Sequence, residues 1–567
     1  MVFVSKKKQK CNAKKSKYWK IIEKTRKIKK EGQCQINNDL SSSPMFIFLF
    51  LLAATVYAGE DPGFVELFAT HNASMDVGCI EFSSPEWLTG TFVLPSLGQF
   101  EMKEEKFTGL LDGFGKLASF LLANNSLCYR SQMMDTGFYN DSLTAGKIAP
   151  GLMFAETSPP RGYSGIRNLA GPNDNVFVNT YSLGLPGNRS NFRCVTDSQM
   201  QLEFDPLTLK TVGVKIKWED KMDAGLPIGS AHPLSHPNEP GCIVNVHPET
   251  AYTMIRHDVS VFKICNDAPY SRVLLSTVKT PYMPYYHSWG LTKSTVILPM
   301  MHFTLNFIDM IAGKTLSESF QDIQGTDTTI HLMPLDGSAP TNVTLKGIEL
   351  YYTHVMNAYD EVDVSTGNKI HVFDCIKFSE NPFSGNLASL SLYRNKTARD
   401  RMGKGETGIP TRITIDTVKN TATAMTMKGF DHSKNDAMAM METDFPKINP
   451  NYSAKKYCMF WAVQWRTNYP KDVSYAQMGL IKYNVCTGDY SFWKYENVYP
   501  SEPTFVPNTD ANAAEDDGVL VFSALNGETK TSNFFTVDAK TMKTISNATI
   551  PDTIGFTTHG QFYQNIV

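Results

Sequence analysis

The sequence predicts an all-β protein, and three observations predict it. Long helical periodicity is scarce along the chain's 567 residues. Short runs alternate apolar and polar residues, as in Val212 to Trp218, Ile370 to Phe378 and Arg412 to Asp416. Period two puts one face inward and one outward, which suits antiparallel strands. A turn signature also recurs: an apolar residue, Asp or Asn, two or three spacers, then Thr, Gly or Asn, then a new strand.

The signature occurs at Phe204-Asp205-Pro206-Leu207-Thr208, Val362-Asp363-Val364-Ser365-Thr366-Gly367, Ile415-Asp416-Thr417-Val418-Lys419-Asn420, Tyr483-Asn484-Val485-Cys486-Thr487-Gly488 and Val537-Asp538-Ala539-Lys540-Thr541. Asp and Asn cap such turns with their own side chains, and Gly or Asn supplies positive φ. Hairpins resemble one another, so the repeat is compatible with many β folds. Its spacing also suits one outer hairpin per propeller blade.

The N-terminal segment differs from the rest. Residues 1–44 are a basic, polar leader, and residues 45–58 read as an apolar run followed by a small-residue cleavage pattern, a signal peptide or signal anchor. Met45 is an alternative start. The expectation is entry to the secretory pathway if this signal is used, and a cytoplasmic protein otherwise. Residues 59–567 are expected to form a single domain. The first 58 residues hold 13 Lys and Arg against 3 Asp and Glu, which leaves 41 against 53 in the remainder. An acidic body argues against a nucleic-acid surface.

Of ten cysteines, Cys11 and Cys34 lie in the leader. The other eight contain no Cys-x-x-Cys pair, so a zinc ribbon is not expected, and the even number is compatible with disulfides. Acceptor sequences for N-glycosylation occur at Asn72, Asn124, Asn140, Asn188, Asn342, Asn395, Asn451 and Asn547. After residue 58 no apolar run is long enough to span a bilayer.

Four histidines stand in distinctive settings: Ala231-His232-Pro233, Tyr286-His287-Ser288-Trp289-Gly290, His354-Val355-Met356-Asn357-Ala358-Tyr359-Asp360-Glu361 and Phe556-Thr557-Thr558-His559-Gly560. Imidazole suits iron, copper and zinc. Ligands so widely separated need a scaffold that gathers distant strand ends. His236 is excluded as a helical partner of His232, because Pro233 breaks that spacing. His247-Pro248-Glu249 has the spacing of a His-x-Glu triad, without supporting features.

The four settings, in this order, resemble the carotenoid cleavage oxygenase family. Pro85-Glu86-Trp87-Leu88-Thr89-Gly90, Leu111-Asp112-Gly113, Phe154-Ala155-Glu156-Thr157 (similar to a Thr-Glu-Thr segment), Tyr499-Pro500-Ser501-Glu502-Pro503 and Glu515-Asp516-Asp517-Gly518 extend the likeness. It implies a seven-bladed β-propeller with iron on its axis and short helices and loops capping a substrate tunnel. It implies one Fe(2+) per chain on His232, His287, His354 and His559. It also implies carboxylates behind the imidazoles: Glu156 on His287, Asp444 on His354 and Glu502 on His559. Asp444 stands where the family usually has Glu, and Glu442 competes for that role.

The implied activity is oxidative cleavage of a conjugated double bond of a carotenoid or apocarotenoid by molecular oxygen, with carbonyl products that include retinal for a central cut. A retinoid isomerohydrolase and a non-catalytic carotenoid-binding propeller are the alternatives. Tyr286, Trp289, Tyr359 and Phe556, neighbours of the ligands in the chain, are expected tunnel residues. A lipid-soluble substrate implies peripheral membrane association. The chain departs from the family at Leu94-Pro95-Ser96-Leu97-Gly98 and Thr108-Gly109-Leu110-Leu111, and its Pro-Asp-Pro-Cys-Lys segment is not recognisable.

Overall fold

Antiparallel meanders follow one another along the chain. The computed structural model describes residues 61–161, 173–184, 187–220, 222, 228–250, 257–383, 389–399, 408–434, 436–468 and 474–567. The leader and the 45–58 signal therefore lie outside the described residues.

The first sheet holds Met75–Glu81, Ser126–Met133, Phe114–Ala123 and Gly90–Gln99, and the C-terminal strand Gln561–Gln564 completes it. Val93 to Gly90 pair with Gln561 to Gln564, so the two ends of the fold are sewn into one sheet. Such closure removes an exposed sheet edge. A second sheet spans Asn179–Ser182 to Thr211–Lys215, and a third runs from Leu234–Ser235 to Ala268–Thr280.

An eight-stranded sheet comes next. It divides into two four-stranded meanders, Gly290–Leu291 to Thr341–Leu345 and Tyr351–Val362 to Thr421–Thr426, whose outermost strands meet at one parallel pair, Leu345 with Ala422. The sixth meander runs from Thr443–Lys447 to Tyr490–Trp493, and the seventh from Val498–Pro500 to Lys543–Ile550. Seven meanders in succession equal the number of blades that the resemblance implies.

Burial differs sharply among the strands. Gly90–Gln99 is buried at every position, whereas the outermost strand Lys543–Ile550 alternates exposed and half-buried residues. Alternating letters do not always mark a solvent face: Ile370–Phe378 alternates in sequence yet lies in the second strand of its meander, buried at every position but Lys377. The turn signatures close hairpins as expected. Asp205 Oδ1 accepts the N–H groups of Leu207 and Thr208, Asp416 Oδ1 those of Val418 and Lys419, and Asn484 Oδ1 those of Cys486 and Thr487. Gly367 and Gly488 take the left-handed conformation there, at φ 73° and 84°. The Val362–Gly367 turn joins the first and second strands of its meander, and the other four signatures join outer strands.

Three disulfides staple the sheets: Cys79–Cys128, Cys242–Cys265 and Cys458–Cys486. The first two pairs stand directly opposite in the strand register. Cys194 and Cys375 are buried free thiols.

Candidate metal centre

Successive meanders each deliver one side chain to a common point. His232 precedes Leu234–Ser235, the first strand of the third sheet, and His287 precedes Gly290–Leu291, the first of the fourth. His354 lies on Tyr351–Val362, and His559 sits just before the closing strand Gln561–Gln564. The Nε2 atoms of His232 and His287 stand 3.1 Å apart, those of His287 and His354 3.1 Å, and those of His354 and His559 3.2 Å. All four ligand atoms fall within 4.8 Å of one another, so the cluster can hold a metal ion.

The opposite ring nitrogens are pinned by carboxylates. His354 Nδ1 donates to Asp444 Oδ1 at 2.6 Å, and His559 Nδ1 to Glu502 Oε1 at 2.9 Å. His287 Nδ1 donates to Asp197 Oδ2 at 2.6 Å. A hydrogen bond at Nδ1 fixes the tautomer that leaves Nε2 free to ligate.

Asp197 corrects the sequence expectation. Glu156 does not hold His287; its Oε1 accepts the N–H groups of Thr157 and Arg161. Glu156 lies on the chain before the second meander, whereas Asp197 follows Phe192–Val195, inside it. The second, sixth and seventh meanders thus supply Asp197, Asp444 and Glu502, and the other four supply histidines. The missed signal was Thr196-Asp197-Ser198, an acid between two hydroxyl residues like the Thr-Glu-Thr pattern but one methylene shorter.

Asp197 binds three groups at once. Besides His287, its Oδ2 accepts the Tyr285 hydroxyl at 2.6 Å, and its Oδ1 accepts the Ala231 N–H at 2.9 Å, next to His232. Glu442, the competitor of Asp444, instead pairs with Arg466 at 3.0 Å.

Electrostatics distinguish the histidines. Burial, then repulsion among the clustered imidazoles, holds His232 and His559 well below the usual imidazole range. Burial also works against charge on His287, but the Asp197 carboxylate outweighs it and raises that pKa. Glu502, 4% exposed, is pushed up to about 7 by burial, with Lys447 at 3.2 Å pulling it back.

A cavity of about 270 Å³ opens against this centre, walled by His287, His354 and His559. Its remaining lining is largely apolar and includes Phe154, Phe383, Tyr393, Phe445 and Trp465. Several of these come from connections outside the meanders, among them the segment ending at Leu316 and the short helix Leu390–Arg394. Asp112 organises that wall by accepting the N–H groups of Phe154 and Ala155; burial raises its pKa to about 7.

Of the expected tunnel residues, Phe556 lines this cavity. Tyr286, Trp289 and Tyr359 do not: Tyr286 and Trp289 pack in a core cluster with Val244 and Leu298, and Tyr359 packs in another with Tyr457. Tyr285 faces the cavity in place of Tyr286. His247 faces Gln199 and is not among the four clustered histidines.

An all-imidazole centre braced by acids, at the wall of an apolar cavity in an all-β fold, defines a metal-binding class of propeller. The chain belongs to the family described as Retinal pigment epithelial membrane protein, which matches residues 69–564. It is 24% identical over 521 residues to the beta,beta-carotene 15,15'-dioxygenase of Rattus norvegicus, covering 85% of this chain and 88% of that protein. It is 21% identical over 513 residues to the carotenoid isomerooxygenase of Galleria mellonella, covering 86% and 93%. A solved structure of the Synechocystis apocarotenoid oxygenase superposes with a TM-score of 0.73 at 18% identity, covering 89% of this chain and 99% of that one.

Proposed function

We infer that this protein is a non-haem Fe(II) dioxygenase that cleaves a conjugated double bond of a carotenoid or apocarotenoid into two carbonyl products. The observation that carries this reading is the convergence of four histidine Nε2 atoms, three of them on His287, His354 and His559 in the wall of an apolar cavity. Family membership and the names of the relatives support it.

The donor set suits a metal such as iron. His232, His287, His354 and His559 would hold such an ion through neutral nitrogens that add no charge to it. What iron supplies when bound is the redox chemistry that brings dioxygen to an alkene. The residues of this chain do the rest. Asp197, Asp444 and Glu502 orient the imidazoles and keep their Nδ1 protons in place. Phe383 and Phe445, with ring centres 5.5 Å from His287 and 5.1 Å from His354, present apolar faces beside the ligands. These faces exclude water and align a flat polyene.

Substrate of this kind dissolves in lipid, and peripheral membrane contact fits the surface. Among the described residues no helix is long and apolar enough to cross a membrane. Ile308, 70% exposed on the short helix Phe307–Ile311, precedes cavity-lining Leu316 by a few residues.

The deciding experiment incubates purified, iron-loaded protein with several carotenoids and separates the products by chromatography. Two aldehydes or ketones support cleavage. An alcohol would point to isomerohydrolysis. No product together with negligible iron content would sink both enzymatic readings.

A further inference from the structure

Eight acceptor sequences and six of the cysteines are not used by the metal centre, and the fold places both sets in a way that the function above does not require. All eight acceptor asparagines are solvent-exposed. None of them lines the cavity. They differ in what their side chains already do. Asn72 Nδ2 donates to Gln99 at 3.0 Å and Asn140 Nδ2 to Asp135 at 2.6 Å. Among the other six, Asn395 Oδ1 accepts the Ala398 N–H at the head of a short helix, and Asn451 lies within the short helix Pro450–Tyr452; the amide nitrogens of the remaining Asn124, Asn188, Asn342 and Asn547 donate to no protein atom among the described residues.

These four lie on hairpin tips and outer strands. Asn124 occupies the turn between Phe114–Ala123 and Ser126–Met133, at φ 50°. Asn188 sits between Asn179–Ser182 and Phe192–Val195, where its Oδ1 accepts the N–H and hydroxyl of Ser190, the acceptor sequence's own third residue. Asn342 lies on the outer strand Thr341–Leu345, and Asn547 on the outer strand Lys543–Ile550.

The cysteines supply an independent observation. Three pairs are bonded, each tying together two adjacent strands or the residues that flank them. Each bond forms when two thiols give up two electrons and two protons to an oxidising disulfide partner. The secretory lumen supplies such partners, and reducing cytosol removes the product. Protein glycosylation of Asn-x-Ser/Thr occurs on that same route.

We propose that Asn124, Asn188, Asn342 and Asn547 carry N-linked glycans, acquired on a chain that folds in the secretory lumen. The co-reactant is a lipid-linked oligosaccharide diphosphate. The asparagine nitrogen forms a bond to the first sugar carbon, the sugar–oxygen bond to the diphosphate breaks, and the amide proton lost from nitrogen leaves with the lipid diphosphate. The glycans radiate from the outer strands and leave the cavity clear.

The test uses the full chain expressed in eukaryotic cells and needs neither substrate nor iron, so its outcome is separate from that of the catalytic reading. Enzymatic removal of N-glycans should lower the intact mass, and peptide mass spectrometry should find all four asparagines modified. Under denaturing, non-reducing conditions Cys194 and Cys375 should alkylate, while the six bonded cysteines should react after reduction alone. The quadruple variant N124Q/N188Q/N342Q/N547Q should lose most of the mass shift; wild-type peptide mapping stands if that variant does not fold. A wild-type chain bare at all four asparagines overturns the proposal, as does a mass shift undiminished in a folded quadruple variant.

Discussion

Asp444 reaches His354 at 2.6 Å even though its side chain is one methylene shorter than the glutamate usual at this place in the family. The strand makes up the difference. Register slips between Asp444 and Lys447, and Phe445 takes a left-handed φ of 55°. A bulge re-aims the side chain of a strand, and a left-handed non-glycine residue costs of order 1–3 kcal/mol. The fold sustains that cost to keep a direct contact.

Asp444→Ala should therefore lower iron affinity about 10–100-fold, the usual effect of losing a partner behind a ligand. Asp444→Glu should retain iron better than Ala but less well than Asp, because the bulge already closes the gap. Glu442→Ala should leave iron content unchanged in whatever protein folds. Iron analysis of the three variants decides the matter, and normal binding by Asp444→Ala would remove Asp444 from this role.

Asp197 and Glu156 should separate in the same assay. Asp197→Ala should cost about 10–100-fold in metal affinity, and Glu156→Ala should cost nothing. The reverse order would restore the sequence-based assignment.

Adjacent tyrosines should behave oppositely. Tyr285 donates to Asp197, whereas the Tyr286 hydroxyl is buried with no hydrogen-bond partner among the described residues. An unsatisfied buried polar group costs about 1–3 kcal/mol. Tyr286→Phe should keep turnover and raise stability by roughly 1 kcal/mol in urea unfolding. Tyr285→Phe should lower iron retention.

His247 gives the fold an acid sensitivity away from the metal. Burial first, then Arg272, depresses its pKa to about 3, and the Gln199 amide donates to its Nε2 at 2.5 Å. The folded state thus keeps this ring neutral, while the unfolded chain binds a proton below about 6.5. More protons on the unfolded chain mean that stability rises with pH, so this contribution is lost as pH falls from about 6.5 toward 3, at up to about 1.4 kcal/mol per unit. Urea melts at pH 7 and pH 5 should show a smaller acid loss in His247→Gln than in wild type. Equal losses would refute the assignment.

The Asp552 carboxylate anchors the closing loop. It accepts from Tyr129 and Ser131 at 2.7 Å each and from Lys116 at 3.2 Å, all on the first sheet. Breaking a buried pair by removing one partner costs about 3–5 kcal/mol. Asp552→Ala should lose stability on that scale, read as a lower unfolding midpoint. An unchanged midpoint would show that the network is dispensable.

The sequence was most legible where a residue's chemistry and its local setting agreed. The four histidines stood in distinctive settings and Glu502 was implied by the family resemblance alone, and the structure gathers all five. Asp444 was legible through its Phe-Pro context, but the bulge that makes it work was not, because nothing in Asp-Phe-Pro encodes a left-handed Phe445. Glu156 misled because it matched the letter of an acidic motif, while Asp197 matched its position in the fold. Tyr286 misled by one residue. Its neighbour Tyr285, on the connection before Gly290–Leu291, lines the cavity, while Tyr286 packs in the core.

The ring closes through Gln561–Gln564, and His559 stands immediately before that strand. The last imidazole is thus supplied beside the strand that closes the fold. Without this segment only His232, His287 and His354 of the cluster remain, and the first sheet loses its Gln561–Gln564 strand. Assembly of the four-histidine cluster and closure of the first sheet are therefore one event: both wait for the segment from His559 to Gln564 to dock on Gly90–Gln99.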